Sequence, residues 1–183
     1  MANVLIPLAQ GCEELEAVTI IDLLRRAEVN VVTAGLDERP VIASRKTVLI
    51  PDTTLDDAEH DDFDMIVLPG GLPGADHLNE DVRIHRLLEQ MNRNEKYIAA
   101  ICAAPKVLAT AGLLNNKKAT SYPGSLDGIA VNELQYCEEN VVVDGRIITS
   151  RGPGTAMDFA LSLIEILQGT DKRNSVEQAL MRG

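Results

Sequence analysis

The sequence predicts an α/β domain whose mostly parallel sheet is covered by helices on both faces and carries one antiparallel hairpin. Three observations carry that expectation. Short apolar runs alternate with helical patterns along the chain, the signature of repeated βα units. The apolar residues are mainly Val, Ile, Leu and Ala, with only five aromatics (Phe63, Phe159, Tyr97, Tyr122, Tyr136), as suits a sheet buried on both sides. Finally, 183 residues, 45% of them hydrophobic, suit one domain over 1–183 and leave little room for two.

The elements follow in order. Asn3 to Ala9 reads as a strand. Glu14 to Ala27 reads as a helix, although Leu15, Val18, Thr19, Asp22, Leu23 and Arg26 keep the 3.6 period only in part. Val29 to Gly35 is a second strand, and Val41 to Ser44 with Thr47 to Ile50 form a weaker strand region. Pro51 to Asp64 holds seven acidic residues and no Lys or Arg; it reads as a solvated loop or short helix without a calcium-loop pattern. Asp64 to Leu68 is a buried strand running into Pro69-Gly70-Gly71. A helix over Val82 to Asn94 and a strand over Tyr97 to Ile101 come next. Val141 to Val143 and Ile147 to Thr149 flank Asp144-Gly145, a type I′ hairpin signal. Thr155 to Gln168 is a helix with Phe159, Ala160, Leu163, Ile164 and Leu167 on one face and Gly169 at its end.

Charge and cysteine usage exclude several functions. A formal net charge of −11 argues against nucleic acid and against an anionic membrane surface. The few aromatics make a base-stacking platform a poor fit. No apolar run approaches the roughly 20 residues of a membrane span, and Met1 to Ala9 lacks the basic start of a signal peptide. Cys12, Cys102 and Cys137 are odd in number and lack zinc spacing, so neither a disulfide framework nor a metal site is indicated. A cytoplasmic domain with free thiols is expected.

The segment from Tyr97 to Pro105 carries the chemistry. An apolar strand reaches Cys102, and Pro105 marks the first turn of a helix, the strand–turn–helix geometry of a nucleophile elbow. Such a turn needs small residues two positions either side, and Ala100 and Ala104 meet that demand. Helix N-terminal N–H groups favour a thiolate at Cys102, and the Ala103 N–H would face an oxyanion formed there. Pro69-Gly70-Gly71-Leu72-Pro73-Gly74 follows another strand at the same sheet edge, where Gly70 and Gly71 let backbone approach a substrate closely. It lacks the Gly-Lys-Ser/Thr of a phosphate loop, and the Gln10 to Glu14 turn lacks the dinucleotide fingerprint. In that first turn Glu13 reads as a dipole-stabilising surface acid. Glu16, one turn along, would point over the crevice, where exclusion of water would raise its pKa and suit it to proton transfer. A thiol protease needs a His base; His60, His77 and His85 all read as surface residues, with His77 the nearest to the glycine loop.

Taken together, Gly11-Cys12-Glu13-Glu14-Leu15-Glu16, Val67-Leu68-Pro69-Gly70-Gly71, Ala99-Ala100-Ile101-Cys102-Ala103 and Thr149-Ser150-Arg151-Gly152-Pro153-Gly154-Thr155 resemble the ThiJ/PfpI superfamily. The resemblance is to its Parkinsonism-associated deglycase and bacterial YajL-like branch, and it runs over almost the whole chain. It implies a flavodoxin-like three-layer sandwich and a homodimer. It makes Cys102 the oxidation-sensitive nucleophile, Glu16 its protonated partner, and the Gly71 and Ala103 N–H groups the oxyanion donors. Arg26 and Arg45 match arginines near the dimer interface and the site. Three departures stand out. Ala103 occupies the position where protease-type members carry a His, which weighs against peptidase activity. Tyr122 precedes Pro123 where the animal deglycases have a His, and Cys12 stands where another residue is usual.

The leading expectation is a cofactor-independent glyoxalase acting on methylglyoxal or glyoxal, with removal of their early adducts as a related activity. The rival from another class is an oxidative-stress sensor or redox-regulated chaperone using the same Cys102.

Overall fold

Parallel pairing dominates because the central strands, Asn3–Leu8, Met65–Leu68 and Tyr97–Ile101, are each followed by helix that carries the chain back across the sheet. The computed structural model describes residues 1–182. Its elements are β1 (Asn3–Leu8), α1 (Glu14–Arg26), β2 (Asn30–Gly35), β3 (Val41–Ile42), β4 (Val48–Leu49), β5 (Thr53–Thr54) and α2 (Leu55–Ala58). They continue through β6 (Met65–Leu68), α3 (Gly74–Glu80), α4 (Val82–Arg93), β7 (Tyr97–Ile101), α5 (Pro105–Thr110), β8 (Lys118–Ala119) and β9 (Gln135–Tyr136). β10 (Val141–Asp144), β11 (Ile147–Ser150), α6 (Ala156–Gln168) and α7 (Thr170–Ala179) complete the chain, with a 3₁₀ turn over Pro153–Thr155.

The main sheet runs β10-β11-β7-β6-β1-β2-β5. All its pairs are parallel except β10 with β11. After β1 the chain builds outward to β2 and β5, then crosses back to β6 on the other side of β1. That reversal between β1 and β6 opens a crevice at the carboxyl ends of the strands.

The two faces are read directly from the period of two. Val4, Ile6 and Leu8 of β1 point into one core with Phe159, Leu163 and Ile164 of α6 and Ile20 and Leu24 of α1. Leu5 of β1, Ile66 of β6 and Ile98 of β7 point into the other, against Leu87 and Leu88 of α4 and Val107 and Leu108 of α5. This is the expected three-layer α/β sandwich.

Several details depart from expectation. The burial of α1 falls on Glu16, Ala17, Ile20, Leu23 and Leu24, while Leu15 and Val18 are exposed; the partial apolar period belongs to two faces. The hairpin turns one residue later than expected. Asp144 pairs with Ile147, so Gly145 and Arg146 are the central residues. Only Gly145 of the two has positive φ, at 62°, which suits type II′ rather than the expected type I′. The acidic stretch does hold a short helix, α2, capped by the Thr54 side chain. Gly169 at φ 87° ends α6 and leads directly into α7, a polar helix with only Val176 buried.

Phe159 is fully buried between α6 and the sheet. Phe159→Ala should lower unfolding free energy by about 3–5 kcal/mol, read as a reduced urea midpoint with an unchanged slope.

Candidate active site

Three loops meet at the carboxyl edge of β1, β6 and β7. Each supplies one part of the site: Glu16 from the start of α1, Gly70 and Gly71 after β6, and Cys102 after β7. Cys102 adopts φ 63°, a left-handed conformation that costs a non-glycine residue about 1–3 kcal/mol. Backbone bonds on both sides hold it there. Its N–H donates to Ser150 C=O at 3.0 Å, and its C=O accepts from Tyr122 N–H at 2.8 Å. The turn then closes with Ala104 N–H donating to Ile101 C=O at 3.0 Å. Ala100 and Ala104 are fully buried, as the elbow requires. The sulfur-bearing residue is 8% exposed, so it faces a narrow opening.

Glu16 is completely buried, an unusual position for a carboxyl. Glu13 caps α1 by accepting from Glu16 N–H at 2.8 Å, which makes it a helix cap where a surface acid was expected. Glu14 turns outward and accepts from Ser44 Oγ and from the Arg45 backbone N–H at 2.9 Å. These donors hold its pKa down at about 2 although desolvation opposes them. Glu16 alone points inward, where its Oε2 accepts from Gly70 N–H at 2.9 Å.

Gly70 can be nothing larger. A Cβ there would lie 2.6 Å from Cys102 Cβ, 2.8 Å from Glu16 Oε2 and 2.8 Å from Ile101 C=O. Gly71, at φ 90°, is equally constrained, because its Cβ would lie 2.4 Å from Glu13 N. The glycines therefore bring backbone close, as expected, but they divide the work. The Gly70 N–H is occupied by Glu16, and the N–H groups of Gly71 and Ala103 face the Cys102 sulfur.

The electrostatics couple Glu16 and Cys102, which lie on either side of Gly70. Burial pushes Glu16 up to about 7, against the Cys102 side chain and the Gly70 hydrogen bond. Burial and the ionised Glu16 push the Cys102 thiol up to about 12, against the Gly71 and Ala103 N–H groups. The helix terminus does not offset burial and the Glu16 charge by itself, α5 being only six residues long, so a low thiol pKa needs the protonated Glu16 that the resemblance implies. A proton on Glu16 reverses both effects: it removes the facing charge and turns an acceptor into a donor. Glu16 Oε1 is buried and accepts from no donor. A carboxylate would leave that oxygen charged and unpartnered, whereas a carboxylic acid can donate to sulfur. With a proton on Glu16, a thiolate at Cys102 would face an acid in place of a charge, beside the Gly71 and Ala103 N–H groups.

Not every residue singled out in the sequence converges here. Arg26 pairs with Asp22 at 2.8 Å near the far end of α1, about 15 Å along the helix from Glu16, so it does not rim the site. Arg45 lies in the β3–β4 connection, tied through its backbone to Glu14. Cys12 is buried, and burial with Glu14 and Glu13 pushes its thiol up to about 12; it is a filler between loops. His77 Nδ1 lies 2.9 Å from Gln10 C=O, and His85 Nε2 lies 2.8 Å from Asn79 C=O; neither hydrogen-bonds to Cys102. Sequence reasoning missed the bonds from Ser150 and Tyr122 that hold the elbow, because both partners lie far along the chain.

The paired proton has a kinetic signature. Alkylation of Cys102 should rise through the pair's lower apparent pKa, at about 7 or below, then stay level because the ratio of the two singly protonated forms is independent of pH. At pH 7 Cys102 should alkylate faster than Cys137. Equal rates would show that Glu16 holds no proton for the sulfur.

A model of the DJ-1/PfpI family matches residues 2–166. "Protein DJ-1 homolog B" of Arabidopsis thaliana is 43% identical over 181 residues; that stretch is 98% of this chain but only 41% of the longer plant protein. "Glutathione-independent glyoxalase DJR-1.2" of Caenorhabditis elegans is 36% identical over 179 residues, covering 98% of this chain and 95% of the relative. Among solved structures, Drosophila melanogaster DJ-1beta superposes with a TM-score of 0.94 at 43% identity, covering 100% of this chain and 98% of that one. With a family model over nearly the whole chain and relatives this similar, the chain belongs to the DJ-1/PfpI family.

Proposed function

We propose that this protein is a cofactor-independent glyoxalase that converts small 2-oxoaldehydes to 2-hydroxy acids through Cys102. The observation that carries the reading is the fully buried Glu16 carboxyl, held beside Cys102 across Gly70 and pushed up to about 7 by burial. A relative bearing the name glutathione-independent glyoxalase supports the reaction class.

The chemistry follows from the groups present. The Cys102 thiolate adds to the aldehyde carbon of methylglyoxal, and the developing oxyanion is met by the Gly71 and Ala103 N–H groups. Glu16 gives its proton to that oxygen, forming a hemithioacetal and leaving a carboxylate. The carboxylate then removes the aldehyde-derived C–H proton, which gives an enediol. Reprotonation at the adjacent carbon leaves a thioester of the 2-hydroxy acid, and water releases lactate and restores the thiol. The aldehyde carbon is oxidised and the ketone carbon reduced, so no external electron carrier is needed. Glu16 at about 7 suits both directions of transfer near neutral pH. Removal of early dicarbonyl adducts from proteins or nucleotides would use the same residues.

The protein acts as a homodimer in this proposal. Exposed apolar side chains on α1 (Leu15, Val18) and around the β3–β4 connection (Ile42, Val48, Ile50) support an apolar interface. The net charge of −11 supports a small-molecule substrate over nucleic acid. No described helix is long and apolar enough to cross a membrane.

Purified protein should consume methylglyoxal without glutathione, and Cys102→Ser should abolish this. Glu16→Gln preserves shape and a donor but cannot carry the proton, so kcat should fall about 10²-fold or more. Wild-type turnover in that variant would remove Glu16 from the reaction.

Oxidation separates the enzyme from the sensor reading. Two equivalents of peroxide should carry Cys102 to the sulfinate before Cys12 or Cys137 is modified, since the thiolate is the oxidisable form. The enzyme reading expects loss of turnover alone. Suppression of client aggregation confined to sulfinate-bearing protein, mapped by peptide mass, would favour the sensor.

A further inference from the structure

We propose that Tyr122 determines substrate specificity: its ring is the wall against which the variable substituent of the 2-oxoaldehyde packs, favouring an aryl or alkyl group over hydrogen. This takes its substrate class from the glyoxalase reading, but the wall itself rests on separate geometry.

Tyr122 is anchored to the nucleophile, since its N–H donates to Cys102 C=O at 2.8 Å. Ser121, immediately before it, is fully buried, so the backbone at this point is fixed. The ring lies against Gly152, where an added Cβ would be 3.4 Å from Tyr122 Cδ2. Gly152 follows within two residues of Ser150, whose C=O accepts the Cys102 N–H. Tyr122 and Gly152 thus extend from the two segments that grip Cys102, and the ring packs on the second of them.

Burial does not explain the ring. Tyr122 is 53% exposed, and its hydroxyl makes no hydrogen bond within the described residues. Tyr136 contrasts with it, because its hydroxyl donates to Ser121 C=O at 3.1 Å. A groove of about 370 Å³ adjoins Ser121 and Pro123, the residues on either side of Tyr122, and is lined by apolar Leu126 and Leu134 with charged Asp127, Glu138 and Arg151. On the loop after β6, Leu72 follows Gly71 and is exposed. The aldehyde hydrogen of glyoxal gains nothing from such a wall. A phenyl substituent gains an offset or edge contact with the ring.

The test measures kcat/KM for phenylglyoxal, methylglyoxal and glyoxal in wild type, Tyr122→Ala and Tyr122→Phe. The phenylglyoxal to glyoxal ratio should fall about tenfold in Tyr122→Ala and persist in Tyr122→Phe, because the ring face acts and the hydroxyl does not. An unchanged ratio in Tyr122→Ala, or an equal fall in Tyr122→Phe, overturns the proposal. Alkylation of Cys102 by N-benzyl iodoacetamide relative to iodoacetamide, read by peptide mass, gives a second ratio independent of turnover. If wild type turns over none of the aldehydes, the glyoxalase reading fails and this second ratio decides alone. A fall in Tyr122→Ala then sustains the aromatic wall, and no fall overturns it.

Discussion

The site depends on the close approach of a buried carboxyl and a sulfur across a single backbone N–H. Glu16 and Cys102 meet because Gly70 has no side chain; any Cβ would collide with both partners at once. The same N–H that fills this gap donates to Glu16 Oε2, so the residue that makes the space also orients the acid. The surrounding loops serve this contact. Glu13 N–H donates to Gly70 C=O at 2.9 Å, which locks the α1 start to the loop after β6. A displacement of either loop would separate the acid from the thiol.

Burial then sets the chemistry. In water a carboxylate and a thiol would each titrate in their ordinary ranges. Packed together without solvent, they cannot both be charged cheaply, so one proton is held between them. The N–H groups of Gly71 and Ala103 favour the negative charge on sulfur, and the donorless Oε1 favours a proton on Glu16. The pair brings a thiol and a carboxyl together in one site, and neither His77 nor His85 hydrogen-bonds to Cys102. That fits a chain in which Ala103 and Tyr122 occupy the positions where resembling families carry a histidine.

The strained backbone at Cys102 belongs to the same arrangement. Its left-handed φ turns the side chain out of the strand direction and toward the crevice, and the bonds to Ser150 and Tyr122 offset the strain. Tyr122 is therefore tied to the nucleophile through its backbone while its ring remains available at the opening. Glu16 and Cys102 are buried while the Tyr122 ring is half-exposed.

The sequence by itself determined the layers and the candidate nucleophile. Alternating apolar runs and helical patterns are local signals, and strands buried on both faces write them plainly, as in Met65 to Leu68 and Tyr97 to Ile101. Small residues around Cys102 and the Gly70-Gly71 pair were also legible, because tight turns restrict residue type locally. The tertiary structure decided the rest. Only the fold shows that Glu16 is buried while Leu15 and Val18 are exposed, since the face of α1 that packs inward depends on its neighbours and not on its own period. It likewise took Arg26 away from the site and assigned the Gly70 N–H to Glu16. These outcomes arise from contacts across 50 or more residues, such as Glu16 with Gly70, where burial and distance set the energy of a charge. A linear pattern carries no record of either.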